Sequence, residues 1–300
     1  MRILITGTSG QVGSALRRVV KGELICPTRA EFDLSRPDGL PAALHAIKPD
    51  LILNPAAYTA VDKAEDEPEL AMTINGDAPG AIARWAAAHR VPMVHFSTDY
   101  VFDGSGDRPW REDDPVGPLS AYGRSKLAGE QAVLAAGGAH LVVRTAWVYA
   151  AEGANFMRTM IRLAREREVL KVVSDQFGTP TSAATIAATI LRILEQAGAN
   201  PADAFARANG VIHVTNSGHA SWHGFASRII EGVRSRGVSL KTGEVVPIAT
   251  AEYPTKAVRP ANSRLDLTRL GEVYGIVPPD WEHALDSELD AFLALETANG

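Results

Sequence analysis

The first half of the chain alternates short apolar runs with longer stretches in which apolar residues recur at helical spacing. The runs are rich in Ile, Leu and Val and contain few charges, which is typical of strands buried on both faces of a parallel sheet. We predict strands at residues 3–5, 23–27, 51–54, 91–97 and 140–145, and helices at 14–20, 69–89 and 122–136. This alternation predicts an α/β fold with a Rossmann-type, doubly wound parallel sheet.

The second half contains amphipathic helical patterns and shorter apolar runs. We predict helices at residues 155–168, 183–196, 222–233 and 281–295, and strands at 171–173, 211–215 and 244–248. We predict a dinucleotide-binding domain in residues 1–150, to which segments near 180–217 return. Residues 151–300 are predicted to form mainly a smaller C-terminal substrate-binding lobe over the carboxyl edge of the sheet.

A glycine-rich turn follows the first predicted strand, with Gly7, Gly10 and Gly13 in GxxGxxG spacing. Such a turn brings bare backbone close to a diphosphate and directs the N–H groups of a helix N-terminus at its charge. The spacing differs from the GxGxxG dinucleotide fingerprint. We predict that this turn binds a nucleotide.

The second predicted strand is followed by Arg29, where NAD-binding sites often place an acidic residue against the ribose hydroxyls. Arg29 favours NADPH, because a guanidinium suits a 2′-phosphate, although a solvated arginine would give the same pattern. Glu31 or Asp33 could still bind a ribose. We predict NADPH as the cofactor and leave NADH open.

Tyr122 and Lys126 lie one helical turn apart, so they project from one face of the predicted helix. A free phenol has a pKa of about 10, and a neighbouring ammonium favours the phenolate and lowers that pKa. A tyrosine with a lowered pKa can act as the acid that protonates a ketone oxygen. Thr98 ends the fourth strand, where its hydroxyl could donate to the same oxygen.

Other polar residues have two interpretations each. His95 and His213 lie within predicted strands and are predicted to be packed core residues, with a base as the alternative for His95. Arg259 is predicted to bind a nucleotide diphosphate, with a surface arginine as the alternative. The loop that contains Gln176 and Pro180 is either a wall of the substrate site or a plain helix-entry turn. No His, Cys or Asp cluster has metal-ligand spacing, so no metal is predicted.

Composition limits the partners. The 300 residues are 46% hydrophobic and 22% charged with a net charge of −5, so a large core is expected and nucleic acid or anionic membrane is not. The single cysteine, Cys26, favours a reducing compartment. Residues 2–5 run directly into the glycine turn, and no apolar window of about 20 residues could span a bilayer. We predict a cytoplasmic protein.

Several runs resemble the extended short-chain dehydrogenase/reductase family, and more closely its dTDP-4-dehydrorhamnose reductase branch. The matching runs are residues 7–13, 54–62, 97–102, 122–126, 144–149, 175–181 and 259–263. The resemblance implies an oxidoreductase of dTDP-rhamnose biosynthesis, a branch of carbohydrate biosynthesis. The implied reaction is NAD(P)H-dependent reduction of the C4 ketone of the nucleotide sugar dTDP-4-dehydro-L-rhamnose to dTDP-L-rhamnose.

The resemblance also implies residue roles. Tyr122 would donate the proton, Lys126 would lower its pKa and hold the nicotinamide ribose, and Thr98 would polarise the substrate. Asp99 and Trp147 would contact the sugar. The implied dinucleotide-lining residues are Gly10, Gln11, Val12, Asp33, Leu34, Ala56, Ala57, Tyr58 and Phe96.

One departure concerns assembly. Some family members carry a glutamate just after the third glycine that helps to form a magnesium-bridged dimer, whereas Ser14 and Ala15 follow here. A magnesium bridge is therefore not predicted, and a homodimer through other surfaces stays open.

Other functions remain as alternatives. Nucleotide-sugar dehydratases of the family usually carry Asp-Glu after the threonine, and this chain has Asp99-Tyr100. A 4-epimerase or another nucleotide-sugar 4-reductase is not excluded by the sequence. A non-catalytic, reductase-like regulatory subunit would not need the proton-transfer residues, yet Thr98, Tyr122 and Lys126 are all present.

Overall fold

Strands and helices alternate along the computed structural model, which describes residues 1–198 and 201–299. The first half consists of β1 (Arg2–Ile5), α1 (Gln11–Val19), β2 (Glu23–Ile25), α2 (Leu40–Ile47), β3 (Leu51–Asn54), α3 (Pro68–Met72), α4 (Ala78–His89), β4 (Met93–Thr98), α5 (Ala121–Ala135) and β5 (His140–Thr145). The second half consists of β6 (Val148–Tyr149), α6 (Phe156–Glu166), β7 (Val169–Val173), β8 (Phe177–Gly178), β9 (Thr181–Ser182), α7 (Ala183–Ala197), α8 (Pro201–Arg207), β10 (Val211–His213), β11 (Ala220–Ser221), α9 (Trp222–Ser235), β12 (Glu244–Ile248), α10 (Thr268–Tyr274) and α11 (Trp281–Asn299).

Six strands form one parallel sheet in the order β10-β5-β4-β3-β1-β2. The strand order reverses at β1, which lies between β2 and β3. Open sheets of this kind bind ligands outside the carboxyl ends of their strands, near such a reversal. The predicted Rossmann-type sheet is confirmed, and the returning strand at residues 211–215 is β10.

Apolar side chains cover both faces of the sheet. Ile3 and Ile5 point to the face covered by α1 and α7, and Leu4 points to the opposite face, covered by α2, α4 and α5. The alternation follows from the two-residue period of a strand. Because both faces are buried, the strands appear in the sequence as continuous apolar runs.

A second hydrophobic cluster lies in the C-terminal half. Helices α6, α9 and α11 pack around an aromatic centre that includes Tyr149, Phe225 and Trp281. Strand β12 pairs in parallel with β7 and closes one side of this cluster. The division into a dinucleotide domain and a substrate lobe near residue 150 stays a prediction.

The predicted helix at residues 69–89 is present as an unbroken helical stretch from Pro68 to His89, within which a π-helical turn at Thr73–Asp77 separates α3 from α4. The Ala78 N–H bonds to the Thr73 carbonyl, and Pro79, in the first turn of α4, has no N–H to continue the regular pattern. Three short helices, α2, α8 and α10, are not among the predicted elements. Within residues 1–198 and 201–299, no helix has the length and apolar content needed to cross a membrane.

Candidate active site

A cavity of about 1920 Å³ runs along the carboxyl edge of the sheet. Apart from Glu31, Gln176 and Pro180, which the sequence analysis gave only as alternatives, the residues proposed as catalytic, cofactor or substrate residues line it: Gly7, Gly10, Gln11, Val12, Gly13, Arg29, Asp33, Leu34, Ala56, Ala57, Tyr58, Phe96, Thr98, Asp99, Tyr122, Lys126, Trp147 and Arg259. Their individual roles stay predictions. Gln176 and Pro180 are not in this lining, and Gln176 donates to the Thr250 hydroxyl (3.1 Å), so the helix-entry alternative describes that loop better.

The glycine turn has the shape that a diphosphate requires. Gly7 has a positive φ of 59°, and a Cβ there would lie 2.8 Å from the Ala56 Cα. A Cβ on Gly13 would lie 2.3 Å from the Gly7 carbonyl oxygen, so helix α1 can approach the turn only without a side chain at this position. Gly10 caps α1 with no side-chain hydrogen bond, which leaves the first N–H groups available for an anion.

The segment after β2 presents one cation, Arg29, and one acid, Asp33, to the cavity. Arg29 is exposed and lines the cavity. Asp33 accepts hydrogen bonds from the Ser35 N–H (3.0 Å) and hydroxyl (2.7 Å), which lower the pKa of its carboxyl group. Glu31 instead accepts hydrogen bonds from the Thr28 N–H and the Thr28 hydroxyl and does not line the cavity. Asp33 is therefore the better candidate for a ribose.

Helix α5 brings Tyr122 to the end of β4. The Ser120 hydroxyl caps the helix by accepting from the Gly123 N–H (3.1 Å). A Cβ on Gly123 would lie 2.4 Å from the Tyr100 carbonyl oxygen, so the absence of a side chain there lets the helix approach the turn after β4. This approach places the Tyr122 hydroxyl within hydrogen-bonding reach of Thr98.

Thr98 connects the tyrosine to a buried carboxylate. Its hydroxyl donates to Asp99 Oδ1 (2.8 Å) and therefore can accept from Tyr122. Burial raises the pKa of Asp99 to about 6, against the opposing effect of hydrogen bonds from Ser263 and Thr98. Thr98 is thus held between the Asp99 carboxylate and the tyrosine hydroxyl.

Lys126 is buried, and its Nζ donates to the Phe96 carbonyl oxygen (2.6 Å). Burial lowers the pKa of Lys126 to about 8, and the Glu130 carboxylate, one turn further along α5, opposes this shift. Glu130 is itself held by a buried two-point ion pair with Arg144, with distances of 2.9 Å and 2.7 Å. Lys126 is therefore fixed by α5 on one side and by β4 on the other.

The sequence-based prediction that Lys126 lowers the pKa of Tyr122 is wrong for this structure. Burial raises the pKa of Tyr122 well above its usual value, and the Asp99 charge raises it further. The Thr98 hydrogen bond lowers it only in part. The physical reason is that burial removes the water that would stabilise the phenolate. The Lys126 ammonium donates its hydrogen bond to the Phe96 carbonyl oxygen.

An aromatic pair forms one wall of the cavity. The Trp147 and Trp222 rings are stacked, with centroids 3.5 Å apart and 9° between their planes. Trp147 has a positive φ of 48°, and a Cβ on Gly178 would lie 2.4 Å from its indole. A strained backbone held this tightly is typical of functional sites.

A C-terminal segment crosses to the loop after β3. Arg259 donates to Asp62 (2.8 Å) and contacts the Tyr100 hydroxyl (3.4 Å). Lys256 forms a second ion pair with Asp66 on the same loop. These contacts place the Arg259 guanidinium at the cavity, where the sequence analysis proposed a diphosphate ligand.

Sequence reasoning missed one residue that lines the cavity and one that holds a lining residue, Tyr58, in place. Trp222 lines the cavity, and its position at the start of α9 gave no sign that it stacks on Trp147. Asn75, in the π-helical turn, donates to the Tyr58 carbonyl (3.0 Å) and the Ser125 hydroxyl (3.0 Å) and accepts from the Tyr58 N–H (2.8 Å). An asparagine inside an otherwise apolar helical pattern was the available signal for this clamp.

The titration of Lys126 predicts a pH dependence. An ammonium is lost as pH rises through its pKa, so kcat/KM should fall about tenfold per pH unit above about pH 8 if the charged form is required. A Lys126→Arg variant, whose guanidinium stays protonated, should keep a lower but flat rate between about pH 7 and 9. A flat wild-type profile through pH 9, or an unchanged falling limb in the variant, would rule out this assignment.

The cavity at the edge of the parallel sheet brings together the glycine turn, Thr98, Tyr122 and Lys126. This arrangement is that of the short-chain dehydrogenase/reductase class of oxidoreductases. The family model described as "RmlD substrate binding domain" matches residues 1–294. A dTDP-4-dehydrorhamnose reductase from Burkholderia thailandensis is 48% identical over 291 residues, which cover 95% of this chain and 97% of the relative.

Two solved structures are similar over almost the whole chain. A dTDP-4-dehydrorhamnose reductase from Clostridium acetobutylicum has a TM-score of 0.88 and 36% identity and covers 98% of this chain and 100% of its own. One from Bacillus anthracis, solved in complex with NADP, has a TM-score of 0.87 and 32% identity, with 97% and 99% covered. The chain belongs to the RmlD substrate-binding-domain family, which confirms the resemblance found in the sequence.

Proposed function

We propose that the protein reduces the C4 ketone of dTDP-4-dehydro-L-rhamnose to give dTDP-L-rhamnose, with NADPH as the cofactor. Two findings support the activity: the family match, and relatives named dTDP-4-dehydrorhamnose reductase that this chain matches over 97% and 100% of their length. The observation that supports it most directly is the convergence of Thr98, Tyr122 and Lys126 beside a glycine turn on one cavity. No comparable observation favours an epimerase, a dehydratase or a regulatory subunit.

The residues fit a nicotinamide dinucleotide. Gly7 and Gly13 leave room for a diphosphate at the start of α1, and Gln11, the first residue of that helix, also lines the cavity. Lys126 would hold the nicotinamide ribose. Arg29 favours a 2′-phosphate, and a relative binds NADP, so NADPH is proposed ahead of NADH. When bound, the dinucleotide supplies the hydride, and the protein supplies position and the proton.

Tyr122 would act as the general acid at the C4 oxygen. Its raised pKa keeps the phenol protonated at neutral pH, so the proton is available for donation. Thr98 would orient the phenol by accepting from it, and its hydroxyl proton, which Asp99 accepts in the unliganded protein, would turn to the substrate oxygen when the substrate binds. Asp99 and the Trp147 wall would contact the sugar on the side away from the phosphate turn.

The reductase assignment is tested by mixing the purified protein with dTDP-4-dehydro-L-rhamnose and either NADPH or NADH. We expect loss of the reduced-nicotinamide absorbance, faster with NADPH, and one equivalent of dTDP-L-rhamnose per cofactor oxidised. Turnover of the sugar without net cofactor oxidation would instead indicate an epimerase. No turnover with either cofactor would contradict the proposal.

We propose that Arg259 binds the diphosphate of the nucleotide sugar. Replacing it by glutamine removes the guanidinium charge, so Arg259→Gln should raise the KM for the sugar by about tenfold or more, as expected for a charge-assisted hydrogen bond. The KM for NADPH should not change. Steady-state kinetics with each substrate varied in turn measure both values.

Lys256→Gln is the matched control, because Lys256 lies on the same segment and pairs with Asp66 on the same loop. It should leave both KM values near those of the wild type. Equal effects of the two substitutions would indicate a general loosening of the segment and would contradict a direct role for Arg259.

The remaining proposals concern organisation. We propose that residues 1–150, with the segments near 180–217, bind the dinucleotide and that residues 151–300 mainly bind the sugar. The protein is proposed to work in the cytoplasm on a small-molecule substrate and without nucleic acid. A homodimer, if it forms, is proposed to lack a magnesium bridge, because Ser14 and Ala15 offer no carboxylate after Gly13.

A further inference from the structure

Thr145, the last residue of β5, carries a buried hydroxyl without a hydrogen-bond partner among residues 1–198 and 201–299. The residue is 7% exposed, and its Oγ1 neither donates to nor accepts from any group in that part of the chain. An unpaired buried hydroxyl lowers stability, so such a group in a native fold calls for a reason. Thr145 also lines the cavity that contains the glycine turn and Tyr122.

The register of the sheet fixes where this hydroxyl lies. Thr145 is paired with Thr98 on the neighbouring parallel strand, so both side chains leave the same face of the sheet. Strands in a sheet are about 4.8 Å apart, which makes the two threonines lateral neighbours. Small residues, Ala183 and Ala184 at the start of α7, line the cavity on the same side and leave the space open.

The strand order gives the direction of a bound dinucleotide. The glycine turn that would bind the phosphates comes directly after β1. Across the sheet, Thr98 lies two strands from β1, at the end of β4, and Thr145 lies one strand further, at the end of β5. A dinucleotide whose diphosphate is at the turn must cross β3 to bring its reacting carbon to Tyr122. The ring carbon that carries the carboxamide is bonded to that reacting carbon, and neither is bonded to the ribose.

We propose that the Thr145 hydroxyl binds the carboxamide of the nicotinamide ring and so fixes which face of the ring meets the substrate. A hydroxyl both donates and accepts, which matches the carbonyl oxygen and the NH₂ group of a carboxamide. The groups proposed for the sugar, Asp99, Trp147 and Arg259, lie after the strand ends, whereas Thr145 belongs to the sheet itself. This inference rests on the dinucleotide part of the proposed function and does not depend on the identity of the sugar.

The test is calorimetric binding of two probes to the wild type and to Thr145→Val. The probes are NADP⁺ and 2′-phospho-ADP-ribose, which is the same molecule without the nicotinamide. Loss of one neutral hydrogen bond should weaken NADP⁺ binding by about threefold to tenfold and leave 2′-phospho-ADP-ribose binding unchanged. The conservative Thr145→Ser variant, which keeps the hydroxyl, should bind NADP⁺ within about twofold of the wild type.

The unliganded protein supplies a second measurement. Valine matches the shape of threonine and removes an unpaired polar group, so Thr145→Val should melt at the same temperature as the wild type or higher. Weaker NADP⁺ binding by a variant that is at least as stable would exclude misfolding as the cause.

Four results would overturn the inference. NADP⁺ binding by Thr145→Val that equals the wild type would do so, as would equal weakening of both probes, which would indicate a damaged pocket. Weak NADP⁺ binding by both Thr145→Val and Thr145→Ser would also contradict it. A wild type that binds no nicotinamide dinucleotide would overturn the proposed function as well, whereas a wild type that binds NADP⁺ but does not reduce the sugar would leave this inference standing.

Discussion

Tyr122→Phe should lower kcat by about a hundredfold or more, because a positioned general acid contributes about 10²–10⁴ to a rate. The substitution removes one oxygen and keeps the ring, which packs edge-on against Tyr100 with centroids 5.5 Å apart. Binding of NADP⁺ and the melting temperature should therefore change little. Steady-state kinetics, calorimetry and thermal unfolding measure the three quantities.

Tyr149→Phe is the matched control. Tyr149 is fully buried, and its hydroxyl has no hydrogen-bond partner in the part of the chain that the structure describes, so the substitution removes the same atom without breaking a hydrogen bond. It should keep kcat near the wild-type value. A Tyr122→Phe enzyme with similar turnover to this control would show that the proton comes from another group.

Lys126→Met should lower kcat/KM by about a hundredfold or more and should also weaken NADP⁺ binding. Methionine can fill the buried volume but cannot donate to the Phe96 carbonyl oxygen or to a ribose. The loss should appear in NADP⁺ affinity as well as in turnover, which distinguishes Lys126 from Tyr122. Calorimetry and steady-state kinetics on the same preparation separate the two effects.

Lys171→Met provides the comparison for this substitution. Lys171 is exposed on β7 and is not in the lining of the cavity. Its replacement should leave both NADP⁺ affinity and kcat/KM unchanged. If Lys126→Met kept wild-type NADP⁺ affinity, its proposed contact with the ribose would be wrong.

The sheet and the position of the site follow from simple features of the sequence. Strands buried on both faces appear as apolar runs such as residues 51–54, and the helices between them force a parallel arrangement. The carboxyl ends of parallel strands meet at one edge, so Thr98 and the glycine turn were expected to lie together. Their common cavity follows from topology alone.

The π-helical turn could not be predicted from local pattern. Residues 69–89 contain apolar positions at helical spacing, and the interruption depends on Asn75 bonding to segments 17 and 50 residues away in sequence. Helical periodicity carries no information about such distant partners. For the same reason the stacking of Trp147 on Trp222 could not be inferred from either neighbourhood.

The direction of the Tyr122 pKa shift also depends on tertiary structure. The i, i+4 spacing of Tyr122 and Lys126 gives the sign of one interaction, which favours the phenolate. Burial and the adjacent Asp99 carboxylate act in the opposite direction and raise the pKa of Tyr122. A proton donor needs only to remain protonated until the substrate oxygen gains charge, so the raised pKa suits the proposed role.

The central claim is that Tyr122 protonates the ketone oxygen of a substrate reduced beside it. The most direct measurement is a crystal structure with NADP⁺ and the nucleotide-sugar product bound. We predict that the Tyr122 hydroxyl lies about 2.6–3.2 Å from the C4 oxygen of the sugar, with the nicotinamide ring against the same carbon. A Tyr122 hydroxyl out of reach of that oxygen, with another acid in its place, would contradict the account.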